Sequence, residues 1–211
     1  MNKDLVKQTI LKIENKKTDD AYITYRDVPD LKLIIAELES NQDDSEDALM
    51  FVYHGYDYIA KAYVVLGRFS VAAIYHLRCL QIAKELRIKH HCKTKDIKEV
   101  LAGLLRDRNY YIDDDCEDVK ELVKGLISKK EIEKIFKERM EHRRSFKNDP
   151  VEMSEEYLAV IDEVEAKIEE NRTIKGHGSC HEIWYLKGQF LMEKGIMWTS
   201  PALLNRHIMF D

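Results

Sequence analysis

Apolar residues along this chain recur with helical spacing, and nowhere do they alternate as in a half-buried strand. Leu31, Ile34, Ile35 and Leu38 make one stripe. Leu49, Val52, Tyr53, Tyr56, Ile59, Ala60 and Tyr63 make a longer one. Ile97, Val100, Leu101, Leu104 and Leu105 fall at i, i+3, i+4, i+7 and i+8, and so do Val119, Leu122, Val123, Leu126 and Ile127. Start signals agree with the stripes. Ser128 stands three residues before Glu131, Asp149 before Glu152 with Pro150 at the first helical position, and Ser179 before Glu182. The pattern predicts about nine helices joined by short polar segments such as residues 41–44 and 113–115.

Residues 62–73, AYVVLGRFSVAA, place a glycine and an arginine between two apolar runs. A helix continuing through Gly67 would cost about 1 kcal/mol relative to alanine. A helix that stops at Leu66 lets Gly67 take the left-handed cap conformation without a Cβ penalty. A second helix then opens at Phe69, with Ala72, Tyr75, His76, Cys79, Ala83 and Leu86 as its apolar stripe. Ala60, Ala72 and Ala73 permit close approach, so the expected unit is an antiparallel helical hairpin.

This hairpin resembles the tetratricopeptide repeat, a helix–turn–helix unit of about 34 residues. Tyr56, Ile59, Ala60 and Tyr63 take the first-helix positions, and Gly67, Phe69 and Ala72 continue the spacing. Tyrosine replaces the family's tryptophan, alanine its glycine and His76 its later aromatic; the closing proline is missing. A partial second copy runs through Trp184, Lys187, Gly188, Leu191, Gly195 and Met197, with its following helix cut short by Ser200 and Pro201. The resemblance covers residues 49–88 and 181–198. It implies an all-α fold built as an array or bundle of antiparallel helical hairpins. Such arrays present a concave surface to an extended peptide or partner helix.

Composition narrows the class of partner. At 211 residues the chain can bury a core within one domain, and few prolines or glycines interrupt it. The expected divisions are N-terminal helices over 1–44, the repeat-like hairpin over 45–90, further helices over 95–171, and a C-terminal helix with an apolar tail over 179–211. The net charge of −5 disfavours nucleic acid and anionic membranes. Arg68 interrupts the longest candidate membrane span, so no membrane association is expected. The first residues, MNKDLVKQTILKIENKK, lack the apolar core and cleavage site of a secretory leader. Cys79, Cys92, Cys116 and Cys180 form no close-spaced pairs and are expected as reduced thiols in the cytoplasm.

Candidate chemistry is sparse. Tyr53, Tyr56 and Tyr58 crowd one helix and cannot all face one core, which leaves two readings: exposed aromatics that bind a partner, or a helix buried on two sides. The basic segment 129–147, with Arg143 and Arg144, could meet an acidic partner or a phosphate backbone, or present a solvated face carrying pairs such as Glu133–Lys137. His90, His91 and Cys92, with His177, Cys180 and His181, are the candidate metal ligands. Their spacing lacks the paired ligands of a structural zinc site, so no metal or other cofactor is expected. The aspartate-rich run before Asp118 reads as helix capping. Arg172 and His177 resemble the Arg-x4–6-His motif of HEPN ribonucleases, in which arginine steadies phosphate charge and histidine transfers protons. Gly176 and Gly178 around the histidine depart from that motif, which leads into a helix.

The expectation is a non-catalytic helical scaffold that binds a protein or peptide, with a HEPN-like ribonuclease as the alternative. Ile208, Met209 and Phe210 in the final stretch are expected to dock, either on their own helices or on a second copy as a homodimer.

Overall fold

The computed structural model describes residues 28–65, 67–109, 116–141, 147–174 and 178–210. The helices expected before residue 28, the acidic residues 113–115, and Arg143, Arg144 and His177 lie outside the described residues. Among the described residues the fold is all-α, with no strand and one isolated bridge between Lys124 and Ile127. The helices are α1 (Val28–Ser40), α2 (Glu46–Val65), α3 (Phe69–Lys89), α4 (Ile97–Arg108), α5 (Glu117–Val123), α6 (Lys129–Glu141), α7 (Glu155–Asn171), α8 (Ser179–Glu193) and α9 (Pro201–Leu204). A 3-10 turn, Pro150–Met153, precedes α7. Among the described residues no helix is long and apolar enough to cross a membrane.

The chain forms two compact units. Unit 1 is Met1–Asp107 with Asp114–His142, and unit 2 is Arg108–Asp113 with Arg143–Asp211.

Unit 1 is organised by α2 and α3. Eleven of the twenty residues of α2 are buried, including every member of its predicted stripe. At its end Gly67 has φ +70°, its N–H donates to Val64 O at 3.0 Å, and Arg68 N–H donates to Tyr63 O at 2.9 Å. These two bonds make a Schellman cap, which ends α2 and lets α3 begin at Phe69. The chain then runs back along α2. Tyr75 stacks on Tyr63 at 5.9 Å between ring centroids, and farther along the Cys79 thiol donates to Tyr53 O at 3.4 Å. Ala60, Ala72, Ala73 and Ala83 are wholly buried, so small side chains occupy the core of both helices.

Shorter helices close the rest of unit 1. Ser45 caps α2 through Ala48 N–H. The stripe from Val119 to Ile127 is cut: α5 ends at Val123, Gly125 turns the chain, and Leu126 and Ile127 lie off the helix, half-buried. Lys84 of α3 donates to Leu122 O at 3.0 Å and Lys124 O at 2.7 Å, meeting the carbonyls that the end of α5 leaves open. The capping box at α6 forms as its spacing predicts, with Ser128 N–H and Oγ–H donating to Glu131 and Glu131 N–H donating back to Ser128 Oγ.

Unit 2 pairs α7 with α8. The start signal at Asp149 opens the 3-10 turn, and α7 itself starts at Ser154, which the spacing did not mark. Asp149 caps the 3-10 turn by accepting from Val151 N–H, and Ser154 caps α7 by accepting from Tyr157 N–H. Ser179 is not a cap. Gly178 precedes α8, and Glu182 reaches back to accept from Thr173 and Ile174. Lys194 to Glu163 at 2.7 Å and Lys167 over the Phe190 ring at 5.7 Å tie the helices in opposite directions. Tyr157, Ile161, Val164 and Ile168 of α7 form the core with Leu191 and Ile196.

Candidate partner-binding surface

The aromatic residues expected to meet a partner are largely internal. Tyr53 and Tyr56 are 2% and 3% exposed. The Tyr53 hydroxyl donates to Lys95 O at 2.8 Å, and that of Tyr56 donates to Glu39. Burial pushes both hydroxyls well above the ordinary tyrosine range, with Glu39 adding to the effect at Tyr56. Tyr58 is half-buried. Of the two readings of this helix, burial with internally satisfied hydroxyls holds for Tyr53 and Tyr56. The physical reason is that α2 is covered on more than one side, by α1 as well as α3. Gly55 faces α1 so closely that an added Cβ would come within 2.8 Å of Ile35 Cδ1.

Two cations complete this interior. Arg78 lies over the rings of Tyr56 and Tyr75, at 5.9 and 5.5 Å from their centroids. Lys32 donates to the Tyr63 hydroxyl at 2.7 Å. The aromatic faces are therefore occupied by the chain's own charges.

The other candidates separate in the same way. His90 closes α3, with its Nε2 2.7 Å from Asp44 O; His91 follows at φ +55°, and Cys92 is half-buried. Burial, with Glu46 nearby, raises the Cys92 thiol and disfavours the thiolate a metal would require. His181 and Cys180 stand at the start of α8, and His181 Nε2 lies 3.2 Å from Phe210 O. Among the described residues no three His, Cys, Asp or Glu side chains converge on a metal position. Arg172 closes α7 and pairs with Glu169 at 2.7 Å, so the guanidinium serves its own helix. On α6, Ile132 and Phe136 face inward while Lys129–Glu133 and Lys134–Glu138 pair along the exposed side.

The surface with the chemistry of an interface lies on α8. This helix carries eight apolar side chains: Cys180, Ile183, Trp184, Tyr185, Leu186, Phe190, Leu191 and Met192. Leu191 is buried, and Cys180, Ile183, Trp184, Leu186 and Phe190 are half-buried. Tyr185 and Met192, seven residues apart and so on one face, are 65% and 64% exposed. Gln189 lies between them and donates to the Tyr185 hydroxyl at 2.9 Å. Met197, just beyond the helix, is 76% exposed. A tyrosine with flexible methionines makes an adaptable apolar surface. Sequence reasoning singled out α8 for its tryptophan and glycines and passed over this face. The legible signal was apolar residues around the whole circumference of the helix.

Comparison with protein-family models, with curated proteins and with solved structures gives no match for this chain.

Proposed function

We propose that this protein is a non-catalytic helical scaffold that binds a protein or peptide through the exposed face of α8. The observation that carries the reading is the exposure of Tyr185 and Met192 on one face of that helix, while Leu191 is buried and its other apolar side chains are half-buried. Leaving large apolar groups in water forgoes roughly 1.5–3 kcal/mol for each one that a partner would cover.

The scaffold itself is read as an array of antiparallel helical hairpins related to tetratricopeptide repeats. Support comes from α2 and α3, where the Tyr56-to-Ala72 spacing meets a Schellman cap at Gly67. It comes also from Gly195, whose N–H donates to Met192 O while Ile196 N–H donates to Leu191 O, the same cap at the corresponding glycine of the second stretch. That second stretch departs from a full repeat, because residues 194–200 form no helix. The reduced cysteines suit the cytoplasm, the compartment we infer for the scaffold; among the described residues all four are free thiols.

The test is selection of peptides from a random displayed library on the full chain, followed by binding to Tyr185→Ser/Met192→Ser. Selected peptides should bind the parent and lose most of their affinity for the double variant, whose helical spectrum and melting should match the parent. A library that yields no binder, or binders indifferent to the two substitutions, overturns the reading.

A further inference from the structure

Unit 1 holds an unusual pairing on the packed face of α4. His76 of α3 is 4% exposed and lies against Gly103, where an added Cβ would come within 2.7 Å of its Cε1. One turn farther along α4 stands Asp107, a carboxylate with no exposure, whose Oδ2 is 3.3 Å from His76 Nδ1. Arg106 holds the same carboxylate, with Nε donating to Oδ1 at 2.8 Å and Nη2 to Oδ2 at 3.3 Å. A glycine and an aspartate at core positions of one helix are costly choices for packing alone. Here the glycine admits an imidazole and the aspartate meets it.

The ring borders a cleft of about 300 Å³, with Val64 and Val65 at the end of α2 and Glu99 of α4 also on its wall. Two cations reach the cleft, and both are committed. Lys61 pairs with Asp57 one turn away, and Arg106 pairs with Asp107. Among the described residues Glu99 has no ion-pair partner, and no group hydrogen-bonds His76 Nε2. The Asp107 carboxylate stands beside Nδ1 without aligning as a hydrogen bond; in the neutral ring its charge favours the proton on that nitrogen, and Nε2 then carries the lone pair. The uncommitted groups of this cleft are therefore acceptors, one of them anionic, beside a short apolar wall. Such a set calls for a ligand that brings donors, positive charge and a few methylenes.

We propose that this cleft binds a small primary ammonium ion, which donates to Glu99 and to His76 Nε2 while its alkyl chain covers Val64 and Val65. The site is independent of the surface on α8. Its volume lies at the small end of ligand pockets and suits an alkylamine of a few carbons.

The experiment is a titration of the full chain, labelled with 15N-histidine, with n-butylammonium; n-butyrate serves as the probe of opposite charge. A ligand of five heavy atoms should bind in the millimolar range. The Nε2 resonance of His76 should move and saturate with n-butylammonium and stay in place with n-butyrate. Glu99→Gln, an exposed change, should keep the fold and weaken binding about tenfold, the loss of one charge-assisted hydrogen bond. Gly103→Ala should displace the ring and abolish the response. A larger shift with n-butyrate, no shift with either probe at tens of millimolar, or unchanged affinity in Glu99→Gln overturns the proposal.

Discussion

Lys187 Nζ lies 3.0 Å from Glu152 Oε1, and the two side chains are only 13% and 8% exposed. The indole N–H of Trp198 donates to the same oxygen at 2.6 Å. Lys187 also sits 4.7 Å from the centroid of the Trp198 ring and 5.3 Å from that of Tyr157. Nearby, Thr199 N–H donates to Asp149, and Asn205 both accepts from Lys147 N–H and donates to Lys147 O. One short segment before α7 thus fastens Trp198, Thr199 and Asn205 in the stretch after α8.

Glu152→Ala should therefore be among the most damaging single changes in unit 2. Removing one member of a largely desolvated pair leaves the other charge without compensation, at about 3 kcal/mol or more. Glu152→Gln should cost less, because its amide oxygen can still accept from the Trp198 indole. Urea midpoints for the three proteins should fall in the order parent, Gln, Ala. An unmoved midpoint for Glu152→Ala would mean that the cluster contributes nothing to folding.

The glycines of unit 2 separate backbone need from side-chain space. Gly195 has φ +78° with no atom within 4 Å of an added Cβ, so Gly195→Ala should cost about 1–2 kcal/mol through strain alone. Gly188 is in ordinary helix, and its added Cβ would stand 3.8 Å from Trp198 Cε3, a normal contact. Gly188→Ala should stabilise by up to about 1 kcal/mol. In unit 1, Gly67→Val should destabilise by more than 1 kcal/mol for the reason that holds at Gly195, φ being +70°. Melting midpoints check all three, and equal shifts at Gly188 and Gly195 would contradict the conformational assignment.

The helices were legible because burial follows the 3.6-residue period wherever one face of a helix does the packing. The stripes of α2 and α4 are buried in full. Legibility failed where a marked start opened a different element from the one expected. Two caps five residues apart, Asp149 and Ser154, both operate, one for a 3-10 turn and one for α7. The tyrosines of α2 left two readings because Tyr53 and Tyr56 lie on its apolar stripe and Tyr58 lies off it; with α2 covered on more than one side, the first two are buried and Tyr58 is half-buried. Asp107 was legible in principle, since it continues the buried face through Val100, Gly103 and Leu104. An acid on such a face asks for a partner; Arg106 beside it in the sequence donates to both its oxygens, and His76, whose ring it faces, lies on a different helix.

Stability should fall in acid through identifiable carboxylates. The Lys98 ammonium, with the hydroxyl and backbone N–H of Ser128, lowers Glu131 from an ordinary 4.5 to about 2. Hydrogen bonds from Thr173 and Ile174 lower Glu182 as well. A carboxyl whose folded-state pKa is depressed contributes above its unfolded pKa, and the contribution disappears as pH falls toward the folded value. The part due to Glu131 should therefore be complete above about pH 4.5 and vanish by about pH 2. Denaturant midpoints of the parent and of Glu131→Gln should differ at pH 6 and converge near pH 2. A constant difference across that range would exclude the Ser128–Glu131–Lys98 cluster as its source.

The end of the chain supplies the last test. The Phe210 ring meets the Trp184 ring edge-on, 5.0 Å between centroids at 89°, while His181 Nε2 lies 3.2 Å from Phe210 O. Ile208 is half-buried, but Met209 is 90% exposed, so the docking expected of all three apolar residues holds for only part of the tail. Phe210 turns inward onto Trp184 while its neighbour Met209 turns out. Met209→Ser should leave stability unchanged, whereas Phe210→Ala should lower it by about 1 kcal/mol, the size of an edge-to-face aromatic pair at a partly exposed site. Deleting residues 207–211 should reproduce the Phe210→Ala loss and shift tryptophan fluorescence to the red as Trp184 meets water. Light scattering on the same samples separates docking within the chain from exchange between copies. A monomer before and after deletion fits the intramolecular contact, while a dimer that becomes a folded monomer shows that the tail seats on a second chain.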